Sequence, residues 1–138
     1  MAYSTELYQP DKNAAYDVLS FRTEKEWLAA RKNGIGGSDS AAVLGLTPYK
    51  TKVEIYEEKA GISEPEDISK KPAVIYGKSA EEPLRRLFQL DHPELIVNYK
   101  NKTILRNRKY PFLLFSPDGL LKMRESGSKG IFENKTTT

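Results

Sequence analysis

The sequence predicts an α+β protein in which helices come first and the strands of a mixed sheet follow. Helix-start signals and a 3.6-residue apolar periodicity are confined to residues 23–92. Short strand-like runs bounded by turn residues fill residues 93–138. The length of 138 residues is usual for one domain. We therefore predict a single domain with an N-terminal extension (1–22), a helical region and a region of strands.

Composition narrows the class of protein further. Hydrophobic residues make up 38% and charged residues 30% of the chain, which is typical of a folded globular domain. The absence of cysteine excludes disulfides, thiol catalysis, cysteine-ligated zinc and iron–sulfur clusters. No apolar run reaches the roughly 18 residues of a membrane helix, and the first residues do not resemble a secretion signal. We expect a cytoplasmic protein with no membrane partner.

Local signals predict four helices. Thr23 with Glu26, and Thr51 with Glu54, have the spacing of a capping box, in which two side chains satisfy free backbone N–H groups. Pro72 suits the first turn of a longer helix. The predicted helices are residues 23–33, 40–44, 51–60 and 72–90.

The fourth predicted helix has an apolar stripe that we expect to face the core. Its members are Ala73, Ala80, Leu84 and Leu87. Glu81 lies at the edge of this stripe beside Phe88, where a carboxylate needs a partner or a metal. The alternative is that Glu81 tilts into solvent or pairs with Arg85, four residues further on.

Five strands are predicted after Pro93. They are Leu95–Tyr99, Thr103–Arg106, Phe112–Phe115, Leu120–Met123 and Ile131–Lys135. If the loop around Ser126 has two or four residues, Asp118 falls opposite Glu133 or Lys135 in a hairpin. Residues 133 and 135 share a face because strand side chains alternate, so all three groups converge. A loop of odd length without a bulge would separate them.

Two carboxylates and an ammonium on one face suit phosphodiester hydrolysis. Carboxylate oxygens are the ligands that Mg²⁺ prefers, and the metal activates water and neutralises charge on the phosphate. Lys135 would orient that water or stabilise the phosphorus centre. The alternative is a surface ion pair, with the Pro-Asp-Gly of Asp118 serving only as a turn.

A basic segment is a candidate for contact with the DNA backbone. The net charge is only +3, so the distribution of charge matters more than its total. Five basic residues and no acidic one lie between positions 100 and 109: Lys100, Lys102, Arg106, Arg108 and Lys109. A solvated hairpin face explains this segment equally well.

A set of short motifs runs in order from residue 31 to residue 135. They are Arg31 with Gly34-Ile-Gly-Gly-Ser-Asp39, Ala41-Ala-Val-Leu-Gly45, Pro48-Tyr49, Lys59-Ala-Gly61, Tyr76-Gly-Lys-Ser-Ala-Glu81, Phe88, Ser116-Pro-Asp-Gly-Leu120 and Glu133-Asn-Lys135. In this order the motifs resemble those of the lambda exonuclease or YqaJ-like viral recombinase family, a branch of the PD-(D/E)XK nuclease superfamily. The resemblance implies a restriction-endonuclease-like PD-(D/E)XK core that lacks its C-terminal part.

For the active site, the resemblance implies catalytic roles for Asp118, Glu133, Lys135 and Glu81. The two carboxylates of the hairpin, Glu81 and the backbone carbonyl of Asn134 would hold Mg²⁺. The family resemblance implies two ions, for which Mn²⁺ can substitute. The reaction implied is hydrolysis of duplex DNA from 5′ ends, as in phage recombination.

The resemblance also implies a site for the 5′-phosphate of the degraded strand. In the family, an arginine seven residues before a serine holds this phosphate, and Arg31 and Ser38 have that spacing. Ser116 is the third member of this predicted site. From the local sequence alone, Ser38 is a capping residue beside the flexible turn Gly34–Gly37, and Asp39 is a capping or structural residue.

The expected partners are duplex DNA ends and a phage single-strand annealing protein, in a bacterial host or encoded by a prophage. A full-length form is expected to assemble as a ring, such as a trimer. We expect the exposed edge of the last strand to cause self-association or marginal stability in this piece. Two alternatives stay open: a different PD-(D/E)XK endonuclease, and a catalytically inactive DNA-binding module with the same fold.

Overall fold

The computed structural model of the chain describes residues 2–137. These residues form two compact units, each assembled from separate segments of the chain. The first unit comprises residues 2–9, 67–101 and 117–137, and the second unit comprises residues 10–66 and 102–116. No helix within the described residues is both long and apolar enough to cross a bilayer.

The structure confirms the α+β class, with helices and antiparallel strands. The helices are α1 (Glu24–Arg31), α2 (Ser40–Val43), α3 (Lys52–Lys59) and α4 (Pro72–Asp91), with short 3₁₀ helices at Glu6–Tyr8 and Gly37–Asp39. The strands are β1 (Tyr16–Ser20), β2 (Leu95–Asn98), β3 (Thr103–Asn107), β4 (Leu114–Phe115), β5 (Gly119–Met123) and β6 (Lys129–Phe132).

Local sequence signals account for the starts of the helices. Both predicted capping boxes are present: the Thr23 hydroxyl accepts the Glu26 N–H before α1, and the Thr51 hydroxyl accepts the Glu54 N–H before α3. Each such cap contributes about 1 kcal/mol to stability. Helix α3 is followed by Gly61 at φ +75°, a left-handed conformation that favours glycine. These predictions succeed because the interactions join residues only three or four positions apart.

In the second unit, a three-stranded antiparallel sheet has the order β1-β3-β4. Strand β1 pairs with β3 along its whole length, from Tyr16 opposite Asn107 to Ser20 opposite Thr103. Sequence analysis missed β1 and assigned its residues to an extension. Helix α1 is tied to this sheet by the Trp27 indole N–H, which donates to the Thr103 carbonyl at 3.1 Å.

In the first unit, a second antiparallel sheet has the order β2-β5-β6. Its core includes Val97, Leu120 and Phe132, all buried. The N-terminal segment also belongs to this core, since Leu7 is buried and its N–H donates to the side chain of the buried Asn98 at 3.1 Å. Strand β2 pairs with β5 and not with its neighbour in the chain, β3, so the strands after Pro93 do not all pair in chain order.

The buried face of α4 differs from the predicted one. Leu87 is 56% exposed and Ala73 is also exposed, whereas Arg85 is the buried residue of the helix at 1% exposure. The Phe88 ring lies 4.8 Å from the Phe132 ring, so this side of α4 packs on β6. Ala80 and Leu84 of the predicted stripe are half-buried, so the contact face overlaps part of the stripe but is centred nearer to Arg85 and Phe88. Apolarity alone did not identify it because its central residue is charged.

Candidate active site

Asp118 lies immediately before β5, at the open end of the β5–β6 hairpin. The loop of this hairpin is residues 124–127, since Lys122 pairs with Lys129 and the Met123 N–H donates to the Ser128 carbonyl. This even length is the one the sequence hypothesis required. The last ladder pair is Gly119 with Phe132, and continuing the register places Asp118 in line with Glu133.

The segment after β6 is bonded back to Asp118. The backbone N–H of Asn134 donates to Oδ2 of Asp118 at 2.9 Å. The ladder itself ends at Phe132, so the predicted continuation of the strand to Lys135 is wrong. Glu133 and Lys135 instead follow the strand in irregular structure, where the Asn134 bond to Asp118 links this segment to the start of β5 across 16 residues.

Glu133 and Lys135 form an ion pair, as the alternative hypothesis proposed. Lys135 Nζ lies 2.7 Å from Glu133 Oε1, and the two side chains are 78% and 41% exposed. The hydrogen bond that Lys135 donates to Glu133 raises the pKa of Lys135, and the charges of Glu133, Asp118 and Glu81 raise it further. The ammonium therefore stays protonated at neutral pH, which suits a charge that faces phosphate and not a general base.

Glu81 comes from α4 to the same cluster. Burial raises the pKa of its carboxyl above the ordinary value, and the negative charges of Asp118 and Glu133 act in the same direction. The charges of Arg85 and Lys78 oppose this shift but do not cancel it. Helix α4 runs close to the end of the chain, since a Cβ added at Gly77 would lie 3.6 Å from Thr136 Oγ1.

Arg85, the alternative partner predicted for Glu81, contacts Glu82 and the main chain of Asp118. Arg85 donates from Nη1 to Glu82 Oε2 at 2.5 Å, and from Nε to the Asp118 carbonyl at 2.8 Å. The Glu82 carboxylate also accepts from the Tyr3 hydroxyl at 3.2 Å. These contacts of Arg85 were not predicted, because the sequence showed only its four-residue helical spacing from Glu81.

The donor set fits a divalent cation in its chemistry. Burial is the main cause that raises the pKa of Glu81, and the negative charges of Asp118 and Glu133 add to it. A divalent cation beside these carboxylates would offset their charge. As they stand, residues 2–137 contain no group of three or more acidic or histidine side chains arranged to hold a metal. The Glu133 carboxylate is turned toward Lys135 instead.

The residues predicted to bind the 5′-phosphate lie in the second unit. Ile35 within the glycine turn donates its N–H to the Phe112 carbonyl at 2.7 Å and accepts from the Leu114 N–H at 2.9 Å. The turn is therefore anchored on the sheet edge, contrary to the expectation of a flexible turn. A Cβ at Gly34 would lie 2.5 Å from the Phe112 oxygen, so this approach requires glycine.

Arg31 and Ser38 lie on either side of this anchored turn. The Arg31 guanidinium carbon lies 4.8 Å from the centre of the Trp27 ring. Ser38 is exposed within a 3₁₀ helix and Ser116 is half-buried. Neither Ser38 nor Asp39 caps α2 with its side chain. The Asp39 carboxylate instead accepts the Gly36 N–H at 2.9 Å and pairs with Lys59 at 3.0 Å. These contacts give Asp39 the structural role that was expected for it.

The basic segment does not form one uniform surface. In the second unit, Arg108 donates to the Asp17 carboxylate at 2.9 Å and to two backbone carbonyls, so its guanidinium stabilises the chain before β1. Arg106 also lies 3.6 Å from Asp17. Lys109 is exposed and lies over the Tyr110 ring. Lys102 belongs to the second unit and Lys100 to the first.

Comparisons with known proteins identify the family of the chain. Residues 26–138 match the family described as the YqaJ-like viral recombinase domain. The uncharacterized protein YqaJ of Bacillus subtilis (strain 168) is 34% identical over 125 residues, which are 88% of this chain and 37% of that protein. Protein D345L of African swine fever virus (strain Badajoz 1971 Vero-adapted) is 53% identical over 36 residues, 26% of this chain and 10% of that protein. No solved structure matches the chain.

The fold and the site define an α+β domain with acidic residues and a lysine at the end of an antiparallel hairpin. The chain belongs to the YqaJ-like viral recombinase family. It spans well under half of the length of the curated relatives it matches.

Proposed function

We propose that the chain carries the catalytic core of a Mg²⁺-dependent DNA nuclease that degrades duplex DNA from 5′ ends. The observation that supports this most directly is the bond from the Asn134 N–H to Asp118, which brings together the segments of Asp118, Glu133 and Lys135. The polarity and the choice of duplex ends rest on membership of the recombinase family. Mn²⁺ is expected to substitute for Mg²⁺.

Asp118, Glu133, Glu81 and the Asn134 carbonyl would hold the metal, which when bound supplies an activated water and neutralises charge on the phosphate. Hydrogen bonding of its carboxylate to Asn134 restricts the rotation of Asp118. The raised pKa of Lys135 keeps its ammonium charged, so it can face the phosphate oxygens during the reaction. The family resemblance implies two metal ions, for which the same three carboxylates and the Asn134 carbonyl would be the ligands.

In the second unit, Arg31, Ser38 and Ser116 are proposed to bind the terminal 5′-phosphate. A guanidinium forms bidentate, charge-assisted bonds with phosphate, and the serine hydroxyls add neutral donors. Lys102, Arg106 and Lys109, with Lys100 of the first unit, are proposed to contact the DNA backbone. In a full-length protein the proposed partners are an annealing protein and further copies of the chain in a ring, in the cytoplasm of a bacterial host.

A catalytically inactive DNA-binding module is the second candidate. The observation that favours it is the Glu133–Lys135 ion pair, together with the absence of a ready-made metal cluster in residues 2–137. An end-labelled duplex assay with and without Mg²⁺, on this chain and on a full-length relative, separates the two. Mg²⁺-dependent release of nucleotides from 5′ ends supports the nuclease, and DNA binding without turnover supports the module. Cleavage of covalently closed circles indicates an endonuclease.

A further inference from the structure

We propose that Arg85 is a positioning residue of the candidate active site, whose buried guanidinium holds the main chain of Asp118 in place. This role rests on the proposed function for its importance to metal binding, but its structural part can be tested without metal or DNA. Arg85 is 1% exposed although it carries a permanent charge. A buried charge is costly unless it is fully paired, so its contacts define what it does.

The guanidinium is fixed on two edges and one face. Its Nε donates to the Asp118 carbonyl at 2.8 Å, and its Nη1 donates to Glu82 at 2.5 Å. The Tyr99 ring lies across its plane, with its centre 3.5 Å from the guanidinium carbon. Because a planar fork with two hydrogen bonds and a stacked ring has little rotational freedom, Arg85 can fix the position of the group it binds.

Glu82 is itself held by other residues. Its Oε1 accepts from the Tyr3 hydroxyl at 3.2 Å and from Arg86 Nε at 2.7 Å, which leaves Oε2 for Arg85. Glu82 thus cannot turn away from Arg85 without losing these contacts. The chain of contacts from Tyr3 through Glu82 to Arg85 ends at the Asp118 carbonyl.

Asp118 accepts two hydrogen bonds: its backbone carbonyl accepts from Arg85, and its carboxylate accepts from the Asn134 N–H. It precedes β5, so its carbonyl lies outside the described ladder, in which Gly119 is the first paired residue. Arg85 therefore provides the hydrogen bond that a neighbouring strand would otherwise supply. If that bond is lost, the Asp118 main chain gains freedom, and the carboxylate and the Asn134 N–H lose their alignment.

Arg86 provides a matched control. It is the next residue on the same helix, has the same charge and contacts the same Glu82 carboxylate at 2.7 Å. Its side chain is 48% exposed, whereas the Arg85 side chain is 2% exposed, and it has no bond to Asp118 among the described contacts. Changes at Arg85 that Arg86 does not reproduce therefore report on the Asp118 contact and not on charge beside Glu82.

The experiment compares Arg85→Gln, Arg85→Lys and Arg86→Gln with the wild type. The first readout is hydrogen exchange of the Asn134 amide in metal-free protein, relative to the amide of Val97, whose N–H donates to Gln89 at 2.8 Å. The ratio is expected to rise about tenfold in Arg85→Gln, consistent with loss of about one hydrogen bond. It is expected to change much less in Arg86→Gln, in which the Tyr3 hydroxyl still holds Glu82 and Arg85 keeps its bond to Asp118. Arg85→Lys keeps the positive charge but loses the planar guanidinium that donates to Glu82 and Asp118 together, so an exchange ratio between those of the wild type and Arg85→Gln is expected.

The second readout is the Kd for Mg²⁺, measured by calorimetry without DNA. Loss of a residue that supports a metal ligand weakens binding about 10- to 100-fold, and this is expected for Arg85→Gln alone. If Arg85→Gln does not fold, Tyr99→Leu, which removes the stacked ring but no charge, is expected to change both readouts in the same direction. Wild-type values in the folded test variant, or equal losses in Arg86→Gln, overturn the proposal. If the wild type binds no Mg²⁺, the proposed function fails, and the Asn134 exchange ratio still decides the role of Arg85.

Discussion

The backbone N–H of Asn134 donates a 2.9 Å hydrogen bond to Oδ2 of Asp118, residues that are 16 positions apart in the chain. Asn134 stands between Glu133 and Lys135, so this single bond links all the hairpin residues of the candidate active site. Four predictions follow from the contacts of this site and of the second unit.

Substitutions of the hairpin carboxylates and of the hairpin lysine are expected to have different effects on Mg²⁺ binding. Asp118→Asn and Glu133→Gln should lose Mg²⁺ binding, because a carboxamide keeps the shape of the side chain but not its charge. Lys135→Ala should keep Mg²⁺ binding. All three should lower nuclease activity of a full-length protein at least about 100-fold. Calorimetry and a duplex degradation assay measure the two effects.

The control for the hairpin variants is Asp91→Asn, at the exposed end of α4, which should keep both properties. Circular dichroism should show that Asp118→Asn still folds, since an amide oxygen can accept the Asn134 N–H. Near-normal activity of Asp118→Asn with Mg²⁺ would contradict the assigned metal site.

Arg31→Ala is expected to slow degradation of 5′-phosphorylated ends far more than of 5′-hydroxyl ends. The charge-assisted contact can be lost only where a terminal phosphate is present to accept it. Initial rates on the two end-labelled duplexes give the ratio. Lys32→Ala, which removes the neighbouring exposed charge paired with Glu64, should leave the ratio unchanged. An equal loss on both substrates points to general backbone binding by Arg31.

Glu81→Gln is expected to stabilise the metal-free protein at neutral pH. Burial, Asp118 and Glu133 raise the pKa of Glu81 above its ordinary value of 4.5. The unfolded chain therefore ionises first, and the wild type loses stability as pH rises from 4.5 through the folded pKa. Below this window both states are protonated, so the variant and the wild type should differ little at pH values well below 4.5. Thermal melts across pH measure the effect.

Glu82→Gln serves as the control of opposite sign. Burial acts to raise the pKa of Glu82, but the Tyr3 hydroxyl and the charges of Arg85 and Arg86 outweigh it and lower the pKa overall. Its stabilising effect is present above the ordinary pKa and is lost as pH falls through the folded one, so Glu82→Gln should destabilise at neutral pH. A loss of stability in Glu81→Gln at neutral pH would contradict the raised pKa of Glu81 and the burial and charge repulsion that cause it.

Gly34→Ala is expected to destabilise the protein by about 1–3 kcal/mol, the usual cost of forcing extra atoms into a packed site. The added Cβ would lie 2.5 Å from the Phe112 oxygen and 2.7 Å from a Leu114 side-chain carbon. Gly37→Ala is the matched control, because a Cβ there meets nothing within 4 Å. Denaturant unfolding of both variants tests this, and equal stabilities would show that the turn is not anchored on the sheet edge.

The residues of the hairpin show how far the sequence alone could reach. The turn residues after Met123 and the alternation of strand side chains predicted that Asp118 comes opposite Glu133 or Lys135, given a loop of even length. The register of the hairpin selects Glu133. The end of β6 at Phe132 was not predictable, because the hydrogen bond that takes over beyond it, from Asn134 to Asp118, depends on how a side chain is oriented. Spacing determines which residues approach each other, and hydrogen-bond geometry determines what they do there.

The sequence by itself determined the α+β class, the two capping boxes, the ends of the helices and the motifs of the recombinase family. All of these depend on interactions or patterns within a few residues. Only the tertiary structure decided that β1 joins β3, that β2 pairs with β5, and that α4 buries Arg85 instead of its apolar stripe. Such pairings depend on which distant segment satisfies a backbone edge or a buried charge. That choice is fixed by the packing of the whole unit and leaves no periodic signal in the chain.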